Sequence, residues 1–398
     1  MNSEPGSGKE KLWTKDFVLL ALSHFLLYLG FQMLLPTLPV YVSQHGGNQT
    51  AVGLVIGIFA LSALLIRPFS GAAVDTYSRK LMLIIGVVVC LLSIGGYFWT
   101  TTVLLILLLR VVHGFGWGIS TTAYGTVASD LIPATRRGEG IGYFGLAATI
   151  AMALGPLTGI WLMDKYGFGV LFLITGLSTV LAFALAQFVH MPAPVITAPN
   201  IQQSSFVSRF IERDALFPSL LMLLVTVTFG GIVSFITLFA NEVDISNVGW
   251  FFFTNALFIL IVRPFAGKLF DEKGHFWVLF PGAIFAMIGV FLLSNVRTTW
   301  ELVIAAVFYG IGYGAIQPSL QAWTINLVAP NRRGAANGTL FSAIDLGYGG
   351  GSIVLGAIAN ATNYATMYRM SAVLLVVYLL VYTIGLIRQK RTSGTVSV

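Results

Sequence analysis

A single cysteine, Cys90, stands in 398 residues. An intramolecular disulfide is therefore excluded, and a lone Cys inside an apolar run reads as a small packing residue. Charge is also scarce. Asp, Glu, Lys and Arg together make up 9% of the chain, where a soluble domain carries about 25%. That leaves too little polar side chain to cover a water-facing surface. Enzyme signatures are missing as well. No G-x-x-x-x-G-K-[ST] segment is present, which argues against an ATP-driven pump, and no H-E-x-x-H or C-x-x-C appears. The segment GFGWG lies inside an apolar run and not after a strand, so it fails as a nucleotide fingerprint. Neither an enzyme, nor a resident cofactor, nor a metal site is expected.

What is abundant is apolar sequence, at 57% of the chain. A bilayer core about 30 Å thick needs roughly 20 apolar residues per helix. Twelve such runs are found, near 17–38, 51–70, 82–99, 101–122, 140–162, 168–189, 215–238, 248–266, 277–294, 301–323, 336–358 and 367–387. Helices satisfy their own backbone hydrogen bonds in lipid, so an all-α membrane protein of twelve transmembrane helices is predicted. The alternating pattern of a membrane barrel is absent. The N-terminus lacks the short core and cleavage site of a signal peptide, so the first run is expected to remain as a span.

The net charge of +7 invites a nucleic-acid reading, which its distribution argues against. With the N-terminus placed in the cytoplasm, only Lys165, Arg297 and Arg369 fall outside, while Arg67, Arg110 and Arg263 lie within helices. The remaining Lys and Arg sit on the cytoplasmic side. This bias predicts a multi-pass protein of the cytoplasmic (inner) membrane with both termini in the cytoplasm.

Residues 62–80 read SALLIRPFSGAAVDTYSRK and residues 258–276 read FILIVRPFAGKLFDEKGHF. The two segments share one register at an offset of 196 residues. At the same offset Gly114, Gly116 and Gly118 return as Gly310, Gly312 and Gly314. Arg136-Arg137-Gly138 likewise returns as Arg332-Arg333-Gly334. Independent helices of similar composition would not keep such a register. Residues 190–214 are polar and rich in Pro and Ser, and read as a linker. The predicted organisation is a six-helix half at 1–189, a cytoplasmic linker at 190–214 and a second six-helix half at 215–398. An even number of helices per repeat keeps the halves parallel, with substrate expected near the midplane between them.

These motifs resemble those of the major facilitator superfamily, in particular its twelve-helix bacterial exporters of the drug:proton antiporter type. The loop 2–3 signature is matched by Gly71, Asp75, Arg79 and Lys80, and partly again by Gly267 and Asp271. The fourth-helix signature is matched by Arg110 and the glycines that follow it. The fifth-helix antiporter signature is matched by Gly155, Pro156 and Gly159. Departures are Thr76 and Ser78 within the first copy and His275 in place of a base in the second, which predicts a second copy that latches more weakly, or only when His275 is protonated. The first helix carries no carboxylate, unlike several proton-coupled relatives.

Among the acidic residues, Asp345 alone is placed near the middle of a helix. An intramembrane charge is costly and normally faces a cavity or a partner. Asp345 reads as a protonatable coupling site or as a contact for a cationic substrate; the alternative is a structural aspartate hydrogen-bonded across helices. Arg110, His113 and Trp117 share one helical face. Arg110 would bind an anionic moiety or tune a neighbour's protonation, and His113 would relay protons; otherwise both serve packing. His24, Tyr28 and Gln32 form a polar stripe on the first helix. Tyr309, Tyr313, Gln317 and Gln321 form another on the tenth. Both stripes read as cavity lining or as interhelical packing. Arg67 and Arg263 are expected to reach the membrane interface from helix ends. Asp75 and Asp271 are expected in short loops, capping neighbouring helices.

The resemblance implies proton-coupled export of a small drug-like or amphipathic compound by alternating access, with no cofactor beyond the proton gradient. The implied partners are the small-molecule substrate, protons and the lipid bilayer, and the protein is expected to be a monomer. Competing expectations are an exporter of a sugar or metal-chelating metabolite, an importer, a lipid flippase, or a non-transporting sensor. A sensor would carry an added soluble domain, for which the short segment before the first helix leaves no room.

Overall fold

The computed structural model describes residues 11–47, 49–191, 210–245 and 248–393. Most of the predicted linker lies outside the described residues. Long helices fill the rest: α1 Lys15–Gln44, α2 Gln49–Thr76, α3 Arg79–Tyr97 and α4 Val103–Leu131. The run Arg137–Gln187 is broken at Gly167, whose φ of 80° and ψ of 175° leave the helical region. A positive φ of this kind is where glycine is favoured over other residues. The break divides the run into α5 (137–166) and α6 (168–187). Then follow α7 Leu216–Glu242, α8 Gly249–Lys273, α9 Phe276–Leu293, α10 Thr299–Asn326, α11 Arg333–Ala361 and α12 Tyr364–Ser393. Among the described residues there are thus twelve long α-helices, and no strand. With the run 134–187 counted once, eleven helical stretches are long and apolar enough to cross a membrane.

Polar side chains mark where several helices start. Thr14, Ser78, Thr102 and Thr298 each accept a hydrogen bond from a backbone N–H in the first turn. Thr298 and Glu301 complete a reciprocal capping box at α10. Aromatic and aliphatic side chains remain exposed around the bundle, among them Trp99, Trp161 and Trp300. In a chain that spans the bilayer, such a surface faces lipid.

The repeated glycines set the internal packing. A Cβ on Gly116 would stand 2.8 Å from the Cys90 amide nitrogen, and one on Gly312 would stand 2.4 Å from that of Ala286. Hence α4 presses against α3 and α10 against α9, backbone to backbone, as small residues allow in membrane helices. The two halves meet mainly where α2 faces α11 and α5 faces α8. Among the described residues, the hydrogen bonds that join the halves lie between Arg67–Asp345 and the end where the linker attaches. Beyond that level none is found, so the molecule is closed at its linker end.

Candidate functional site

Asp75 and Asp271 lie within the last turns of α2 and α8, and not in the loops that sequence reading assigns them. Both cap helices of the opposite half. Asp75 accepts from the amides of Gly334 and Ala335 at 2.7 and 2.8 Å. Asp271 accepts from those of Gly138 and Glu139 at 2.7 and 2.9 Å. These amides belong to the starts of α11 and α5, where unpaired N–H groups and the helix dipole favour an anion. Gly71 and Gly267 let the helices approach. A Cβ at either would lie 2.5–2.6 Å from a backbone oxygen of the other half.

The aspartate caps are equivalent, and the charges beside them are not. In the first copy Arg79 Nε lies 2.6 Å from Asp130 Oδ2, and Arg333 Nη1 lies 2.7 Å from Asp130 Oδ1. Arg79 also donates to the Pro330 carbonyl at 3.2 Å. In the second copy the equivalents are His275, Asn326 and Arg137. There Arg137 donates to the neutral Asn326 amide oxygen at 2.6 Å. His275 turns away, stacking on Trp323 with ring centroids 4.1 Å apart. Its Nδ1 lies 2.7 Å from the Tyr382 hydroxyl. Burial holds the His275 pKa below its usual 6.5. The second latch thus keeps its aspartate cap and lacks the ion pairs that Asp130 makes in the first.

Sequence reading passes over Asp130, which is half of this arrangement. The repeat alignment of Asp130 with Asn326, beside the paired arginines, is the signal that would have exposed it. Lys80 donates to the Gln187 carbonyl at 2.6 Å, inside the first half, and takes no part in joining the halves. Gly155 and Gly159 bring α5 against Gln32 and Met33 of α1, also within the first half, and Pro156 sits inside α5 between them.

Arg67 and Arg263 do not reach for the membrane interface. Each is 4% exposed and buried at the centre of the molecule. Arg67 Nε lies 2.5 Å from Asp345 Oδ2, and Nη2 donates to Oδ1 at 3.2 Å. Its Nη1 donates to Thr121 at 3.0 Å, and the guanidinium stands over the Phe341 ring. The fork and the carboxylate form a two-point pair between α2 and α11. The Asp345 side chain keeps 19% exposure in mid-helix, so open space reaches the pair. Arg263 donates to the Gln317 amide oxygen and packs against Gly145. Tyr28 lies in the electrostatic field of Arg67, Arg263 and Asp345 together.

The other predicted residues divide between the centre and the body of each half. Tyr28 stacks edgewise on His24 and tilts over Trp117, at 4.4 and 4.6 Å. His24 lies flat on Phe144, and its Nδ1 has no hydrogen-bond partner. The buried Gln32 amide oxygen also lacks one. Across the molecule Tyr313 stacks on Phe229 at 4.6 Å, and Tyr309 bonds Thr228 at 3.0 Å. Gln321 donates to Asn337 at 3.2 Å. Arg110 is placed differently. Its Nε donates to the Val55 carbonyl at 2.9 Å and its guanidinium covers the Phe59 ring at 4.3 Å. His113 meets Tyr97 at 3.2 Å. Both stand among α2, α3 and α4, apart from the junction of the halves.

Against this geometry, the sequence model of the Major Facilitator Superfamily matches residues 20–296 and 219–397. The chain belongs to the major facilitator superfamily. It is a multi-pass membrane transporter and not an enzyme. Multidrug resistance protein MdtG of Salmonella typhimurium is 26% identical over 403 residues, covering 96% of this chain and 97% of that protein. A multi-drug resistance efflux pump PmrA homolog of Lactococcus lactis is 24% identical, covering 88% and 90%. An uncharacterized MFS-type transporter of Methanocaldococcus jannaschii is 26% identical, covering 91% and 96%. Among solved structures, the human organic anion transporter MFSD10 matches with a TM-score of 0.80 at 17% identity, covering 92% and 98%. The transporter FucP in its outward conformation matches with a TM-score of 0.76 at 16% identity, covering 93% and 98%. Members of the family carry small-molecule substrates across the membrane.

Proposed function

We propose that this transporter exports small organic compounds of drug-like or amphipathic character by alternating access, with inward proton flow as the driving force. It works as a monomer in the cytoplasmic membrane, with both termini and the linker in the cytoplasm. Residues 1–189 and 215–398 rock as two halves joined by 190–214. The full-length similarity to multidrug proteins supports the substrate class. The bias of Lys and Arg toward the linker end supports the orientation. In this orientation the two aspartate latches close the cytoplasmic side.

The Arg67–Asp345 pair carries the mechanistic reading, because it ties the halves together and open space reaches its carboxylate. A proton delivered to Asp345 cancels the charge, and Arg67 loses its anionic partner. One tether between α2 and α11 weakens, and the energetic balance tips away from the closed cytoplasmic side. Proton release restores the pair. Proton occupancy and conformation are thereby linked through their differential contacts, as any coupled transition requires.

Purified protein in liposomes with an imposed pH gradient tests this, using cationic dyes, sugars and metal chelates as trial substrates. Gradient-dependent movement of an amphipathic compound is expected in the wild type and is lost in Asp345→Asn. Movement indifferent to the gradient, or an Asp345→Asn protein that still couples, overturns the reading.

A further inference from the structure

The two halves build the same arginine site twice and complete it once. Arg67 packs its backbone on Gly338 of the opposite half, its guanidinium against Phe341 and its charge against Asp345. At the repeat offset the equivalents are Gly142, Gly145 and Thr149. Arg263 meets Gly142 in the same way: a Cβ there would stand 3.0 Å from the Arg263 carbonyl oxygen, against 2.9 Å at Gly338. Thr121, which bonds Arg67, is matched by Gln317, which bonds Arg263. Yet the phenyl ring of the first site is a bare Gly145 in the second, and the carboxylate is Thr149.

Arg263 is therefore a fully charged guanidinium, 4% exposed, with no acidic partner among the described residues. Its protein acceptor is the neutral Gln317, and its Nε has no hydrogen-bond partner. A buried charge without a counter-charge is unfavourable in the membrane interior, and arginine does not lose its proton to relieve it. The phenols of Tyr28 and Tyr313 lie within its electrostatic reach, and Tyr313 stacks on Phe229. The site thus offers a guanidinium with its Nε unpaired and its Nη2 held only by a neutral amide, within reach of tyrosine rings.

We propose that Arg263 is the recognition residue for a carboxylate on the transported compound, and that the substrate class is an amphipathic organic acid with an aromatic or apolar body. The substrate supplies the anion that Asp345 supplies in the other half. This rests on the transport reading above and narrows its substrate. A guanidinium fork matches a carboxylate in two parallel hydrogen bonds. The rings take up the apolar body.

The test is equilibrium binding to the purified full-length protein in lipid nanodiscs, at one pH and without a gradient. Three probes share one ring system: 1-naphthylacetate, its neutral amide, and 1-naphthylmethylammonium. Tryptophan quenching reports the Kd. Wild type is expected to prefer the carboxylate over the amide by about tenfold or more, the weight of one charge-assisted contact. Arg263→Gln is expected to level the three affinities. Thr149→Asp places the missing acid where the repeat predicts it, and is expected to remove the preference for the anion while Arg263 remains. Both variants are checked for monodispersity by size-exclusion chromatography. Equal affinities in the wild type, no binding by any probe at millimolar concentration, or a preference that survives both substitutions overturns the proposal. Because no gradient is applied, this result is separate from coupling. Gradient-driven export with no anion preference removes the carboxylate site alone. Anion preference with gradient-indifferent export removes the coupled reading alone.

Discussion

Arg67 and Asp345 are 278 positions apart in sequence and form one two-point ion pair at the centre of the bundle. Each belongs to a different half, so the pair is an electrostatic contact across the junction of the halves. Removing Asp345 leaves Arg67 charged and buried, at a cost of about 3–5 kcal/mol. Asp345→Asn and Arg67→Gln are each expected to lower thermal stability clearly. The double variant is expected to recover part of that loss, because no unpaired charge remains. Thermal melting of the four proteins in one detergent measures the coupling, and additive losses would show that the pair does not act as a unit.

Gly267 faces the start of α5 at backbone distance. A methyl group there would stand 2.5 Å from the Gly138 carbonyl oxygen. Gly267→Ala is expected to disfavour the closed linker end by about 1–3 kcal/mol, the scale of overpacking. Expression should persist, because the contact lies between the halves and not within one. Distances between spin labels on the ends of α2 and α11 report the shift, and an unchanged distance distribution would count against this role.

Asn326 occupies the position that Asp130 holds in the first half. Its amide oxygen accepts from Arg137 at 2.6 Å. Asn326→Asp converts that bond into an ion pair and restores one of the two pairs that Asp130 makes in the first latch. Closure at the linker end is expected to strengthen by about 1 kcal/mol, the added worth of a second charge on a contact that already carries one. Turnover should fall several-fold, since each cycle must break the contact. Faster turnover would show that the neutral bond is not what eases opening.

His275 is held neutral by burial against Trp323. Its pKa in the fold lies below the ordinary 6.5, so between those two values the unfolded chain binds the proton more readily. Stability is therefore fully present above about 6.5 and is lost as pH falls toward the folded value. His275→Gln is expected to flatten the melting temperature as pH falls below 6.5. A melting curve with the same acid slope in both proteins would assign that slope to other groups. Since the ring turns away from Asn326, protonation does not turn it into a second Arg79.

The membrane class, the helix positions and the repeat were all legible without coordinates, because they depend on local quantities. Run length sets whether a helix spans lipid. Lys and Arg between runs point to orientation, and a preserved offset exposes duplication. The paired aspartates were legible for a related reason, since Gly71 with Asp75 and Gly267 with Asp271 recur at one spacing. Their placement was misread by a few residues. The apolar run ends near residue 70, whereas helical hydrogen bonding continues to Thr76.

The sequence by itself determined that this chain crosses the membrane many times, that it has two like halves, and that charge is scarce. Only the tertiary structure decided which interior charges meet. An arginine near a helix end looks the same in sequence whether it extends to the interface or turns inward. The choice is made by distant helices, one supplying Asp345 to Arg67 and another leaving Gly145 beside Arg263. Pairing energy depends on distance and burial, and in a folded bundle neither is a property of sequence spacing.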